Sequence, residues 1–326
     1  MTCKYAVLLI NTGSPANPDS VSVRSFLEEF LSDTAIVDLP HWIWQPILKN
    51  IILPLRSSRS ANKYKEIWLE NGSPLLLGTK KLAGAIEQEL QKSLSTEICV
   101  KIAMRYGNPS IEKQINELCT TGVHQVIALP LFPQTSVTTT GTIFKEIERL
   151  NNTIPIKKAS GYGTHPAYIQ ALAEHLKLYW QSHVRAERLI FSFHGIPHKL
   201  TALGDTYEQE CKQSIGLLVE HLQLPQNSYR IGFQSRFGPG RWLEPATIEL
   251  IKQAAQDEVK ALQIFAPGFA IDCLETLHEI DVDMRADFQR WGGKQFEYIP
   301  CMNNSAGHSK ALGNLINSLI KPNSEN

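Results

Sequence analysis

The stretch RLIFSFHGIP, residues 188–197, decides the fold. Leu189 to Phe193 has the length and apolar composition of a fully buried strand, and His194 ends it just before Gly195 and Pro197. In open α/β sheets, ligands and catalytic groups collect at the carboxyl ends of strands. His194 therefore stands where such a group would stand, although structural histidines at strand ends are common. An earlier stretch has the same form: YAVLLINTGSP (5–15) is a strand, two residues, then Gly-x-Pro. CVKIAMRYGNPS (99–110) matches YRIGFQSRFGPG (229–240), each a strand followed by arginine, an aromatic residue, glycine and proline. QVIALPLFPQ (125–134) pairs more loosely with LQIFAPGFAI (262–271). Three similar stations in one order point to two similarly folded halves. The competing explanation is the general likeness of apolar strands.

Strand-like runs alternate with helical segments, the pattern of a parallel α/β sheet. Helices are expected over 19–32, 60–69, 79–94, 110–121, 142–151, 166–182, 205–222, 244–256, 272–290 and 305–320, with a frayed polar tail KPNSEN. The two halves differ in one spacing. Gly13 and Gly107 lie 94 residues apart, whereas Gly195 and Gly238 lie 43 apart, so the first half carries an insertion of about 50 residues within 30–80. It includes LPHWIWQPILKNIILPLRSSR (39–59), where Trp42 and Trp44 stand among aliphatic residues ahead of Arg56 and Arg59. Such a segment is either a helix packed on its own domain or an apolar lip that covers a pocket or rests on a bilayer.

Lys plus Arg and Asp plus Glu each total 32, a balance that argues against a nucleic-acid partner. Cys3, Cys99, Cys119, Cys211, Cys273 and Cys301 show no C-x-x-C pair or zinc-ligand spacing and read as reduced thiols of a cytosolic protein. The apolar run Ala6 to Ile10 is too short for a signal peptide and reads as the first strand. No apolar run is long enough to span a membrane as a helix.

A second informative segment is PGFAIDCLETLHEIDVDMRADFQRW (267–291). At about 100° per residue, Asp272, Glu275, Glu279 and Asp283 fall on one face, within about 80°. Leu274, Leu277, Ile280, Met284 and Phe288 lie opposite. Like charges four apart repel mildly, so the line is either a solvated face or a set of oxygen ligands and proton acceptors. If the halves are wound alike, His194 and these acids leave the same sheet edge. Imidazole and carboxylate both accept protons and both ligate intermediate metals, which suits proton removal coupled to handling of a divalent metal.

LLINTGSP (8–15), NGSPL (71–75), MRYGNPS (104–110), LPLFPQTSVTTTG (129–141), FSFHGIP (191–197), GDTYEQEC (204–211), FQSRFGPGRWLEP (233–245), PGFAIDCLETLHEI (267–280) and YIPCMN (298–303) resemble the ferrochelatase family, in order and over nearly the whole chain. The resemblance implies insertion of Fe2+ into protoporphyrin IX to make protohaem. It implies two similar Rossmann-like domains, each a parallel sheet flanked by helices, with a cleft between them. Boundaries are then expected at 1–160, carrying the lip insertion, and 161–326, with the C-terminal helix packing back on the first domain. The family's catalytic histidine and glutamate, both also metal contacts, fall on His194 and Glu275. Its metal or proton route falls on Asp272, Glu279 and Asp283, and its lips, which grip the macrocycle and lie against membrane, on 39–59. The expected location is cytoplasmic, peripheral to the inner face of the membrane.

The chemistry makes these roles sensible. Two inner N–H protons must leave a porphyrin as the metal enters, which needs a base over the ring and binding energy to deform it. Arg56, Arg59 and Arg105 are candidates for the ring propionates. Trp242 and Tyr106 are candidates for apolar ring contact, and Ser73, Ser136 and Thr138 match polar positions of family motifs. Some relatives carry a cysteine-ligated [2Fe–2S] cluster. Here the C-terminal region offers only Cys273 and Cys301 where four thiolates are wanted, so no iron–sulfur cluster and no other cofactor is expected. Competing functions are a chelatase for coproporphyrin or a cobalt-accepting precursor, and a non-catalytic haem or metal carrier.

Overall fold

The computed structural model of the chain describes residues 3–93, 97–150, 153–236, 238 and 240–320. The expected helix ends at 94 and 151 and the tail KPNSEN lie outside the described residues. In chain order the elements are β1 (Tyr5–Asn11), α1 (Ser20–Leu31), α2 (His41–Ile47), α3 (Leu53–Ile67), α4 (Pro74–Ser93), β2 (Ile98–Met104), α5 (Ile111–Cys119), β3 (Gln125–Pro130), α6 (Thr142–Arg149), β4 (Ile156–Lys158), α7 (Pro166–Ser182), β5 (Arg188–His194), α8 (His198–Ala202), α9 (Tyr207–Leu222), β6 (Tyr229–Gln234), α10 (Thr247–Gln256), β7 (Ala261–Phe265), α11 (Arg285–Arg290), β8 (Gln295–Ile299) and α12 (Ala306–Ile320). π-Helical turns occupy Leu48–Ile52, Val137–Gly141 and Glu275–Met284.

Two four-stranded sheets form, in the orders β2-β1-β3-β4 and β6-β5-β7-β8, and every pair is parallel. The repeat seen in the sequence is thus a repeat of topology. Ala6 through Ile10 of β1 are wholly buried. A parallel strand covered on both faces has no polar side to show, hence its unbroken apolar run.

The chain forms two compact units. The first comprises the described residues within Met1–Leu131, Val137–Ser160 and Leu312–Asn326, and the second those within Phe132–Ser136 and Gly161–Ala311. The last turns of α12 therefore count with the first unit, where Lys157 Nζ donates to the Leu319 carbonyl at 2.8 Å.

Glycines after the two central strands have a common cause. A Cβ on Gly13 would lie 1.8 Å from the Tyr106 carbonyl oxygen, and one on Gly195 would lie 2.8 Å from that of Gln234. At both places the neighbouring strand's backbone crosses too closely for a side chain. A second echo follows: the Met104 N–H donates to Pro109 O at 2.7 Å, and the Phe233 N–H to Pro245 O at 2.9 Å.

Within each sheet the chain runs to one side of the central strand and then to the other. The reversal falls between β5 and β7 in the second unit, the topological switch point where open α/β sheets bind ligands beyond their strand ends. His194 is the last residue of β5, and the segment after β7 leads to Glu275. Topology alone sets the two at one edge.

The insertion in the first unit is α2, the π turn Leu48–Ile52 and α3, so helix begins at His41 rather than at 60. Pro46 lies inside α2 and Pro54 opens α3. Proline normally breaks a helix; the π turn ahead of Pro54 re-sets the hydrogen-bond register so that helix resumes there. The segment divides by face. Trp44, Leu48 and Leu53 are buried, whereas Trp42, Ile43, Ile51 and Leu55 are exposed. The buried face packs within its own unit, and the other face is open to solvent.

Candidate active site

His194 is half-buried, and its Nδ1 lies 2.7 Å from the Gly195 carbonyl oxygen. A carbonyl only accepts, so Nδ1 carries a proton, and in the neutral ring the lone pair is on Nε2. Trp242 flanks the histidine's strand end. One of its ring carbons stands 3.4 Å from where a Gly195 Cβ would be, and its backbone bridges Pro197. Any larger residue at 195 would displace the indole or the Gln234 backbone.

Gln234, paired with His194 in the sheet register, links that strand end to the acidic segment. Its Oε1 accepts from Ser192 Oγ at 2.6 Å, which orients the amide. Its Nε2 then donates to the Glu275 carbonyl at 2.9 Å and to Glu279 Oε2 at 3.4 Å. Ser235 Oγ donates to the same Glu279 oxygen at 2.5 Å, from a backbone in the left-handed region at φ 64°. A serine there is uncommon, and such conformations concentrate at functional sites. Burial raises the Glu279 carboxyl above its ordinary pKa; the Ser235 hydrogen bond and His194 oppose this and Glu275 adds to it. The histidine and these two glutamates thus form one electrostatic group within the second unit.

The acidic segment is not the α-helix expected over 272–290. Glu275–Met284 is π-helical and only then does α11 begin; the Arg285 N–H reaches back five residues to the Ile280 carbonyl. Glu275, Glu279 and Asp283 lie in this π-helix, each only partly buried, at intervals of four residues. Asp272 leaves the line, because it precedes the helix. Its Oδ1 accepts from Tyr298 OH at 2.5 Å and Thr276 Oγ1 at 3.0 Å, and its Oδ2 from Asn303 Nδ2 at 2.7 Å. A carboxylate so engaged anchors the helix entry and has little capacity left for an ion in transit.

Other expected site residues hold local structural positions. Arg105 pairs with Asp33 at 2.6 Å, and Tyr106 is buried with its hydroxyl donating to the same Asp33 oxygen at 2.9 Å. The Tyr106 ring meets Phe30 edge-on, so it packs in the first unit instead of offering a face to a ligand. Ser73 Oγ accepts the Leu76 N–H at 3.2 Å near the start of α4 and lies 2.5 Å from Ser14 Oγ. Ser136 Oγ donates to Asp205 at 2.8 Å. Arg56 is half-buried, which lowers its pKa by desolvation, Arg59 is exposed, and Thr138 is half-buried within the π turn Val137–Gly141. Cys273 and Cys301 are buried, and burial pushes both thiols well above their usual range. Among the described residues, no three His, Cys, Asp or Glu side chains converge as a closed metal cage.

Gln234 and Ser235 were not among the residues expected at the site. Their signal lay in FQSRFGPG, at the end of the strand paired with that of His194, but their role depends on which helix turn they face.

A family model described as Ferrochelatase matches residues 4–319. A ferrochelatase of Aeromonas hydrophila subsp. hydrophila is 42% identical over 97% of this chain and 98% of its own length. One from Nitrosomonas europaea is 38% identical over 96% of this chain and 87% of its own. Among solved structures, SirB from Bacillus subtilis with Fe3+ aligns with a TM-score of 0.56 at 12% identity, over 97% of this chain and 95% of that one. CbiX, the terminal enzyme for biosynthesis of siroheme in denitrifying bacteria, aligns at 0.51 and 13% identity, over 97% and 99%. At those identities the two structures share the two-domain, Rossmann-like chelatase fold, and nothing finer is drawn from them. Family, fold and the order of motifs along the sequence agree: the chain belongs to the ferrochelatase family.

Proposed function

We propose that the cluster of His194, Glu275 and Glu279 carries out the family's reaction in this chain, insertion of Fe2+ into protoporphyrin IX to form protohaem with release of two pyrrole protons. The observation that carries the reading is the Nδ1 contact of His194 with Gly195 O, which leaves Nε2 as the basic atom of the neutral ring. In this reading Nε2 accepts a pyrrole proton while Glu275 faces the incoming metal. Glu279, whose proton affinity burial has raised, is the next acceptor, and Asp283, its side chain 42% exposed, ends the line. The π-helix supplies three carboxylates at one spacing, so a proton or a hydrated ion can pass between like groups.

Trp242, packed beside Gly195, is the ring contact this geometry supports best. Arg59, exposed on α3, is the propionate partner favoured here, with Arg56 one turn earlier on the same helix; Arg105 is held by Asp33. Tyr106, Ser73 and Ser136 act through their contacts with Asp33, the start of α4 and Asp205, and Thr138 remains a polar ring contact in this reading. The exposed face of α2 and α3, with Trp42, Ile43, Ile51 and Leu55, is a surface for peripheral contact with the inner, cytoplasmic face of a membrane. Among the described residues no helix is long and apolar enough to cross one. The reaction is proposed to need no iron–sulfur cluster, since the C-terminal region offers only Cys273 and Cys301 where a cluster wants four thiolates.

The test is anaerobic incubation with Fe2+ and porphyrins of different carboxylate number, followed by metalloporphyrin absorbance. Turnover is expected with protoporphyrin IX, and Glu275→Gln is expected to lose turnover while still binding porphyrin. Preference for coproporphyrin would replace the substrate, and binding without turnover would make the protein a carrier.

A further inference from the structure

The π winding of Glu275–Met284 needs something to hold it, since α winding is the default for an isolated helix. His278 and Asp283 offer the means. In an α-helix residues five apart point about 140° away from each other, and only partners three or four apart meet. With hydrogen bonds from i to i+5 the turn is wider, and residues five apart come back close to the same side. His278 is buried, and its Nδ1 lies 3.3 Å from Asp283 Oδ2, a close approach without hydrogen-bond alignment. The pair therefore spans one π turn, a contact that α winding would break.

The two ends of the π-helix are gripped from outside. At the start Gln234 Nε2 donates to the Glu275 carbonyl at 2.9 Å, and at the end Arg285 Nε donates to the Asp281 carbonyl at 2.9 Å. Between them the His278–Asp283 contact spans the register directly. We propose that His278 is a positioning residue whose contact with Asp283 across one π turn holds the winding that sets the spacing of Glu275, Glu279 and Asp283. The inference rests on the reading of those three acids as the metal-facing and proton-carrying line. It gives His278 a task at the site although its side chain lies away from solvent, and it gives Asp283 a second task besides ending the line.

The experiment uses the full chain and two readouts, the winding of 275–284 in crystal structures of the variants and steady-state kinetics with Fe2+ and protoporphyrin IX. In His278→Leu the turn over 278–283 is expected to revert to i to i+4 bonding. Its kcat should fall on the order of tenfold or more, while the porphyrin KM stays within about twofold. His278→Gln, whose amide can donate to Asp283, is expected to keep the π winding and most of kcat. Should His278→Leu fail to fold, Asp283→Ala removes the partner from the more exposed end and is expected to give the same reversion. Retention of π winding in either His278→Leu or Asp283→Ala overturns the proposal. Loss of π winding with unchanged kcat would uphold the lock and refute the role of the acid line.

Discussion

Trp42 and Trp44 stand two residues apart, and the fold assigns them opposite tasks. Trp44 is 8% exposed, and its Nε1 donates to the Leu31 carbonyl at 2.6 Å. Truncating a buried tryptophan costs about 3–5 kcal/mol, and the carbonyl left without its donor adds about 1–3 kcal/mol. That is a large part of a typical total stability of about 5–15 kcal/mol. Trp44→Ala is therefore expected to shift the urea midpoint strongly downward. Trp42 is 78% exposed. Of the roughly 150–250 Å² that an aromatic side chain can bury, about three quarters remains in contact with water. At about 25 cal/mol per Å² its transfer into a bilayer is worth up to about 3–5 kcal/mol. Trp42→Ala should leave stability within about 0.5 kcal/mol and lower partitioning into anionic vesicles by about tenfold or more. Co-sedimentation with vesicles and urea unfolding read the two quantities separately. Wild-type vesicle binding by Trp42→Ala would refute the membrane surface, and an undiminished midpoint in Trp44→Ala would refute the division of faces.

Two further predictions concern buried titratable groups. Burial pushes His308 down to about 4, whereas in the unfolded chain it titrates near 6.5. Between those values the unfolded state binds more protons, so stability falls as pH drops from about 6.5 to 4, by about 3 kcal/mol in all. The acid slope of the urea midpoint should flatten in His308→Leu. For Glu279 the sign is opposite: its folded pKa is raised by burial, so stability present below the unfolded value is lost as pH rises through the folded one. Glu279→Gln should match the wild type in stability near pH 4 and exceed it at pH 7, with reduced turnover. A variant less stable than wild type at pH 7 would contradict the buried-charge argument.

The fold was legible because its constraints are local and repeated. Strand, glycine and proline recur at the ends of β1 and β5 since the same backbone crossing excludes a Cβ at Gly13 and Gly195. Likewise, the apolar runs of the central strands follow from burial on both faces. His194 was legible by position, at the end of a central strand next to the switch point. On α periodicity the acidic line includes Asp272 and gives no reason to look at His278. Its start is held by Gln234, from a strand that no helical wheel of 272–290 contains, and the i to i+5 contact of His278 with Asp283 has no place on an α wheel. Arg105 and Tyr106 looked like ligand groups because Asp33, their partner, lies far away in sequence. The helix from His41 was hidden by two prolines, one inside α2 and one that opens α3 after the π turn.

The most direct measurement is the rate of metalloporphyrin formation by His194→Ala with Fe2+ and protoporphyrin IX, set beside the porphyrin affinity of the same variant. If the Nε2 of a neutral imidazole removes the pyrrole protons, turnover falls close to background while affinity is largely kept. Turnover near the wild-type level would show that the protons leave by another base.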